Sequence, residues 1–115
     1  MENIIAMQQK TRYGAIEKKH VKIVLTGNFN INSNIPFEVY RQAIKYKVNG
    51  HIKFQEHGRS EIVVEAGSKA VEIYIQWLIS FIQNREIHFN LHWSNSILNY
   101  KEFRIIHLKH EQLNT

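Results

Sequence analysis

Alternation of apolar and polar residues predicts five β-strands along the chain. The first strand places Val21, Ile23 and Leu25 on one face, and the second does the same with Ile52 and Phe54. The other three strands carry their inward residues at Ile62, Val64 and Ala66, at Ile87, Phe89, Leu91 and Trp93, and, between Tyr100 and Leu108, at Phe103 and Ile105. Each predicted strand therefore has one face suited to a core.

Two further segments have the spacing of amphipathic helices. In the first, Asn34 is the predicted N-cap, Pro36 falls in the first turn, and Gly50 ends the helical segment. Ser68 is the predicted N-cap of the second helix. The predicted buried stripes are Phe37, Tyr40, Ile44 and Val48 in the first helix, and Val71, Ile75, Leu78 and Ile82 in the second.

The order of these elements is β-α-β-β-α-β with a final strand. It predicts an α+β, ferredoxin-like fold, in which two helices cover one face of an antiparallel sheet. The opposite face is expected to be polar and solvent-facing, because its residues are Lys22, Thr26, Lys53, Gln55, Glu61, His88, Asn90 and His92.

A length of 115 residues with 43% hydrophobic residues indicates one domain with a real core. We expect residues 20–109 to form that domain, residues 1–19 to form an N-terminal arm, and residues 110–115 to form a polar tail. No apolar run reaches the roughly 18 residues that a membrane span needs. The first residues include an early acid and no basic region, unlike a secretory signal. We therefore predict a cytoplasmic protein without membrane association.

The formal net charge of +5 is scattered along the chain, so it permits an acidic partner without requiring one. The chain has no cysteine, which excludes disulfides, thiol nucleophiles and thiolate metal sites. His88 and His92 would lie about 13 Å apart along one strand, too far to share a metal ion. His51, predicted on a neighbouring strand, is the further candidate ligand. We expect neither a metal nor a cofactor.

Short motifs between residues 20 and 108 follow one another in the order of a known family. They are Phe37-Glu-Val-Tyr-Arg-Gln-Ala43, Gly50-His-Ile-Lys-Phe54, His57-Gly58 with Val63-Val-Glu-Ala-Gly67, Gln76-Trp77-Leu78, and Tyr100-Lys-Glu-Phe-Arg-Ile105. Together they resemble the acylphosphatases. The resemblance implies the fold predicted above and, in family members, hydrolysis of acyl phosphates.

The resemblance also implies three catalytic features: a glycine-rich phosphate loop, an Arg that pairs the phosphate, and an Asn that positions water. In this chain the Arg position falls on Glu38, or on Ile35 or Pro36 if the gap is placed elsewhere, and the Asn position falls on Phe54. A carboxylate in the first turn of a helix complements the helix dipole. It would oppose a phosphate about 4 Å away by roughly 4 kcal/mol at an effective dielectric of about 20. Phe54 cannot hydrogen-bond water, so no catalytic residue is assigned.

Two hypotheses remain open. The leading one is a non-catalytic acylphosphatase-like domain that acts by binding an unknown partner. The alternative is an acylphosphatase with an altered loop, and it predicts phosphate binding between Asn28 and Glu38. The residues of that altered anion loop would be Asn28, Asn30, Asn32, Ser33, Asn34 and Arg41, with Arg59 of the hairpin as a further cation.

The second helix has an additional apolar flank formed by Ile73, Trp77 and Phe81. We predict that this flank is an interaction patch for a protein partner or a homodimer. RNA-recognition modules of this topology stack bases on exposed strand aromatics. The third strand has no aromatic residue, and Glu61 and Glu65 are expected to face outward. Nucleic-acid binding is therefore disfavoured.

Overall fold

The computed structural model describes residues 17–27, 34–55 and 58–107. Its elements in chain order are β1 (Lys18–Gly27), α1 (Ile35–Tyr46), β2 (Asn49–Gln55), β3 (Arg59–Gly67), α2 (Ser68–Ile82), β4 (Ile87–Ser94) and β5 (Phe103–His107). Within these ranges, no helix has the length and apolarity required to cross a membrane. Residues 1–16 and 108–115 lie outside the described residues, and so do most of the predicted arm and the whole polar tail.

The five strands form one sheet in the order β4-β1-β3-β2-β5. The first four strands pair antiparallel to their neighbours, whereas β5 joins β2 in parallel and makes the sheet mixed. This architecture confirms the predicted α+β, ferredoxin-like fold. The core lies between the sheet and the two helices, where Ile23, Leu25, Ile52 and Ile62 are fully buried.

The predicted stripe of α2 is confirmed, whereas that of α1 is wrong at Phe37 and Ile44. Val48 is buried and Tyr40 packs against the core, as predicted. The buried residues of α1 are Ile35, Pro36, Val39 and Ala43. Phe37 and Ile44 are instead 55% and 53% exposed. Both sets have helical spacing, so periodicity alone does not choose between them. The buried side of α1 also contacts α2, because the Tyr74 hydroxyl donates to the Val39 carbonyl at 2.8 Å.

The helix ends agree with the sequence expectation at one position. Asn34 is the N-cap of α1 as predicted, although its side chain makes no capping hydrogen bond, whereas Gly67, not Ser68, holds the N-cap position of α2. The left-handed residue that ends α1 is Lys47, at φ +61°. Gly50 belongs to β2, where a Cβ atom would lie 1.9 Å from the Val63 carbonyl oxygen. This glycine therefore allows close pairing of β2 with β3.

The face of the sheet opposite the helices is only partly open. Residues 95–102 connect β4, at one edge, to β5, at the other edge. Four strand spacings amount to about 19 Å, and eight residues reach at most about 27 Å, so the segment crosses the sheet with little slack. It covers Glu65, whose exposure is 3%. The expectation that Glu65 faces solvent is therefore wrong.

Candidate functional site

The region that resembles a phosphate site lies at one end of the sheet. β1 and β2 end there, at Gly27 and Gln55, while β3 and β4 begin there. Helix α1 also begins at this end, since it follows β1 in the chain. Its N-terminus carries the partial positive charge of the helix dipole. The fold therefore supplies the geometric frame of an anion site at this end.

Two glycines hold this frame together. The Gly27 N–H donates to the Gly58 carbonyl at 2.9 Å. A Cβ atom on Gly58 would lie 2.3 Å from the Gly27 carbonyl oxygen, and Gly58 has φ +69°. On its other side, Gly27 approaches the Glu86 carbonyl so closely that a Cβ atom would lie 2.5 Å from it. The end of β1 is thus fixed between the β2–β3 hairpin and the start of β4.

The first turn of α1 carries a carboxylate that is already paired. Glu38 Oε2 lies 3.0 Å from Nη1 of Arg41. The guanidinium carbon of Arg41 also lies 5.5 Å from the centre of the Phe37 ring. The cation that the sequence places nearest to the helix start is therefore engaged by its own helix. The charge of the Glu38–Arg41 pair sums to zero where an anion would need a net positive charge.

The second family position is occupied by a core residue. Phe54 is buried in the hydrophobic core and pairs in register with Ser60 on β3. Among the described residues, the fully buried Ser60 hydroxyl has no hydrogen-bond partner. Sequence reasoning missed Ser60, although its spacing places it on the inward face of β3 with Ile62 and Val64. No amide donor occupies the place of the family's Asn.

Arg59, considered above as a further cation, is also engaged. Its Nε donates to Gln55 Oε1 at 2.7 Å, and its Nη2 donates to Glu61 Oε2 at 3.1 Å. In the strand register Arg59 lies opposite Thr26, on the sheet face away from α1. The guanidinium therefore belongs to the face opposite the one that the helix N-terminus occupies.

Most of the predicted anion loop falls between the described residues 27 and 34. Asn28, Asn30, Asn32 and Ser33 lie outside the described residues. Asn34 is exposed, and its carbonyl accepts the Glu38 N–H at 3.0 Å. An anion site built from these residues stays a prediction.

The predicted interaction patch is a stacked assembly on α2. The rings of Trp77 and Phe81 stack with centroids 5.0 Å apart, and the Arg85 guanidinium lies 4.3 Å from the Phe81 centroid. Arg85 also donates to the Phe81 carbonyl at 2.6 Å. Ile73 is exposed one turn before Trp77. Part of the apolar flank is therefore already in contact with other residues of the same chain. The role of the flank as an interface stays a prediction.

The opposite end of the sheet holds a polar cluster, formed by His20, His51, Glu65 and Tyr100, that sequence reasoning did not identify. Glu65 accepts the Leu98 N–H at 2.6 Å and the Tyr100 N–H at 3.1 Å. The Tyr100 ring stacks on His20 and meets His51 edge-on. The alternation in β3 gave no signal for this cluster, because its partners come from three separate segments.

The protonation of this polar cluster follows from its burial and contacts. Burial raises the pKa of the Glu65 carboxyl, but hydrogen bonds from Leu98, His20 and Tyr100 outweigh this effect. The pKa of Glu65 therefore lies below its ordinary value. Burial, with the nearby charge of Lys53, lowers the pKa of His51. Glu65 is therefore a buried carboxylate that binds the backbone of residues 95–102 and holds this crossing segment on the sheet.

The structure corrects one element of the metal-site reasoning. His88 and His92 lie together on β4 as expected. His51 is on β2, which is separated from β4 by β1 and β3. His51 is therefore not on a strand adjacent to the other two histidines.

Comparisons with known proteins identify the fold. No protein-family model and no curated protein sequence matches the chain. Among solved structures, acylphosphatase from Bacillus subtilis aligns over 76% of this chain and 98% of its own, with 20% identity and a TM-score of 0.68. An acylphosphatase from Coxiella burnetii aligns over 86% of this chain and 99% of its own, with 20% identity and a TM-score of 0.64.

A third similar structure is full-length HypF in its phosphate- and nucleotide-bound form. It has 21% identity and a TM-score of 0.66 over 79% of this chain, but the match spans only 12% of the HypF chain. These similarities confirm the predicted resemblance as an acylphosphatase-like fold. At such identities, likeness of fold does not transfer catalysis.

Proposed function

We propose that this chain, whose fold is acylphosphatase-like, is a non-catalytic domain that acts by binding a protein partner. The observation that carries the proposal is the pairing of Glu38 with Arg41 in the first turns of α1. An acyl phosphate is anionic, and its binding requires net positive charge and hydrogen-bond donors at this helix start. Glu38 introduces a negative charge at the position where the resemblance requires a cation.

A second feature supports the absence of catalysis. Hydrolysis needs a group that positions the attacking water. The corresponding residue, Phe54, lies in the core and carries no polar atom on its side chain. Converting Phe54 to Asn would bury an amide in that core, so the double variant Glu38→Arg, Phe54→Asn would lose stability along with any gain in chemistry. Glu38→Arg alone is therefore the cleaner probe of the site.

Binding is supported by the outer face of α1. Phe37 and Ile44 are large apolar residues, and each is more than half exposed. Lys45 and Lys47 lie on the same helix or at its end, and they add positive charge beside the neutral Glu38–Arg41 pair. Apolar residues with a cationic rim suit an acidic protein segment that also carries apolar side chains.

The test is an acyl-phosphate hydrolysis assay combined with phosphate titration monitored by amide chemical shifts. We expect the natural protein to hydrolyse acyl phosphate no faster than buffer, and its Gly27 and Ile35 amides to show no saturable shift. Glu38→Arg is expected to introduce phosphate-dependent shifts at these amides. Hydrolysis well above background would overturn the proposal and favour the altered-loop acylphosphatase.

In that case Arg41 would be the cation to examine. Arg41→Gln would then abolish hydrolysis, because it removes the guanidinium nearest to the helix start. The matched control is Arg104→Gln, which removes another exposed arginine that is paired with a neighbouring glutamate. Arg104 lies on β5 opposite His51, away from the helix start. Equal loss of activity in both variants would argue against a specific role for Arg41.

A further inference from the structure

Strand β4 forms an open edge of the sheet. Among the described strands it pairs only with β1, so the backbone groups on its other side have no strand partner there. Its eight residues span about 27 Å. Natural proteins protect such edges with charged side chains, proline, bulges or short length. The sequence of β4, Ile87-His-Phe-Asn-Leu-His-Trp-Ser94, contains no lysine, arginine, aspartate, glutamate or proline.

The other edge of the sheet differs in both respects. Strand β5 is five residues long and carries Arg104. Strands β1, β2 and β3 each carry at least one lysine, arginine or glutamate. Of the five strands described, β4 is therefore the one without a formally charged side chain. Two copies repel each other because the chain has a net charge of +5. Pairing through β4 brings no formally charged strand residues of the two copies together, so it does not increase this repulsion.

The side chains of β4 also leave apolar surface uncovered. Trp93 is 56% exposed and Phe89 is 37% exposed, and both lie on the helix side of the sheet with Leu91. Trp93 and Leu91 line a groove whose other wall is Ile75 and Gln76 of α2. Leu91 is thus partly buried against the core, whereas the two aromatic residues of β4 keep exposed surface. Exposed aromatic residues, tryptophan above all, are among the residues that contribute most to protein interfaces.

We propose that a second copy of this chain pairs antiparallel with β4 and forms a two-fold dimer with a continuous ten-stranded sheet. An antiparallel pair related by a two-fold axis keeps each side chain on its own face of the sheet. Phe89, Leu91 and Trp93 of the two copies would therefore meet on the helix side. His88, Asn90 and His92 would meet on the other side. Both copies offer the same length of uncharged edge, so the surface is complementary to itself.

This dimer is independent of the chemistry at the start of α1. It uses backbone hydrogen bonds of β4 and the apolar side chains beside them, which is the mode of β-strand addition. It also differs from the predicted patch of Ile73, Trp77 and Phe81, because those residues lie on the flank of α2 away from the groove with β4. The dimer stands or fails separately from the proposed function.

The experiment is sedimentation equilibrium of the full chain at concentrations from about 5 to about 200 μM, which detects dissociation constants in the micromolar range. We expect a concentration-dependent rise from the monomer mass of 13.7 kDa toward twice that value. Trp93→Lys puts a charge among the apolar side chains that the second copy would bring to this edge, and it should weaken the dimer at least about tenfold. Circular dichroism checks that the variant is folded.

The matched control is Leu98→Lys in the segment between β4 and β5. Leu98 is a large apolar residue with nearly the same exposure as Trp93, and the substitution adds the same charge. We expect it to leave the dissociation constant within about twofold. A monomer at 200 μM, equal weakening by both variants, or open-ended assembly beyond the dimer would each overturn the proposal.

Hydrogen exchange gives a second readout that does not depend on a variant. In a β4–β4 dimer the outward-pointing amides of β4 become hydrogen-bonded, so their exchange should slow as protein concentration rises. Amides of β5, at the opposite edge, serve as the internal control and should not change. Concentration-independent exchange in β4 would contradict the pairing.

Discussion

His20 and Glu65 face each other across β1 and β3, and Nδ1 of the imidazole lies 2.7 Å from Oε2 of the carboxylate. Both side chains are buried under the segment that crosses from β4 to β5. Because the pKa of Glu65 is below its ordinary value, the carboxylate accepts and the imidazole N–H donates. The same carboxylate accepts two backbone N–H groups of the crossing segment, so it joins three parts of the chain.

Glu65→Gln should therefore destabilise the fold by about 2–4 kcal/mol, as measured by urea unfolding. Whichever carboxylate oxygen the glutamine NH₂ group replaces, it would face a backbone N–H group that now donates a hydrogen bond to that oxygen. Glu102→Gln is the control, because Glu102 is 66% exposed and its carboxylate pairs with the exposed Arg104. Its expected effect is within about 0.5 kcal/mol. Similar losses in the two variants would mean that Glu65 does not anchor the segment.

Acid should release the same anchor. A carboxyl whose pKa is lowered by folding contributes stability above its unfolded pKa, and this stability is lost as the pH falls through the folded value. Protection of the Leu98 and Tyr100 amides against hydrogen exchange should therefore decrease below about pH 4.5. In Glu65→Gln, protection of these amides should show no loss in this pH range.

His51 should make stability depend on pH in a higher range. Its pKa is lowered from 6.5 in the folded chain, chiefly by burial, so the folded state binds fewer protons than the unfolded state just below that value. The free energy of unfolding should accordingly rise with pH up to about 6.5 and gain nothing further from His51 above it. His51→Gln should flatten this slope between pH 5 and 7, whereas His88→Gln, at an exposed position on β4, tests whether any histidine has this effect.

Tyr74 links the two helices through its hydrogen bond to Val39. Tyr74→Phe keeps the ring and removes the hydroxyl, so we expect a loss of about 1 kcal/mol. For a domain of this size the melting temperature should fall by roughly 4–8 °C. Tyr46→Phe is the matched control, since the Tyr46 hydroxyl makes no hydrogen bond within the described residues. An unchanged melting temperature for Tyr74→Phe would show that the bond adds nothing to helix docking.

Gly58→Ala should destabilise the chain by about 1–3 kcal/mol. Alanine is strained at φ +69°, and its Cβ atom would meet the Gly27 carbonyl oxygen at 2.3 Å. Gly67→Ala is the control, because Gly67 has φ −60° and alanine adopts that angle readily. Thermal unfolding of the two variants compares them directly. If the losses were equal, the close approach of Gly27 and Gly58 would not be the cause.

Ser60→Ala should leave stability unchanged or raise it by up to about 1 kcal/mol. The Ser60 hydroxyl is buried beside Phe54 and has no partner among the described residues, so removing it leaves no other group unpaired. A clear loss of stability, measured by urea unfolding, would reveal a hydrogen bond that the described residues do not supply.

The order of strands and helices follows from the sequence, because a period of two and a period near 3.6 mark which elements form. The buried stripe of α2 was predictable for the same reason. In α1, Phe37, Tyr40 and Ile44 have the same periodicity as Pro36, Val39 and Ala43, so the pattern cannot tell which side faces the sheet. In the structure the side with Pro36, Val39 and Ala43 is buried, and it is the side that contacts α2. The chemical misfit of Glu38 and Phe54 was likewise visible in the sequence, since it depends only on residue type at positions aligned with short motifs.

What only the tertiary structure decided are relationships between distant segments. The partners of Glu65 come from β1 and from the segment between β4 and β5, and no local pattern brings them together. The pairing of β5 with β2, and the resulting exposure of β4 at the other edge, depends on strand order, which periodicity does not encode. Local spacing determines which face of an element is apolar. The arrangement of elements then determines which apolar faces are covered, because burial requires surfaces that lie far apart in the chain.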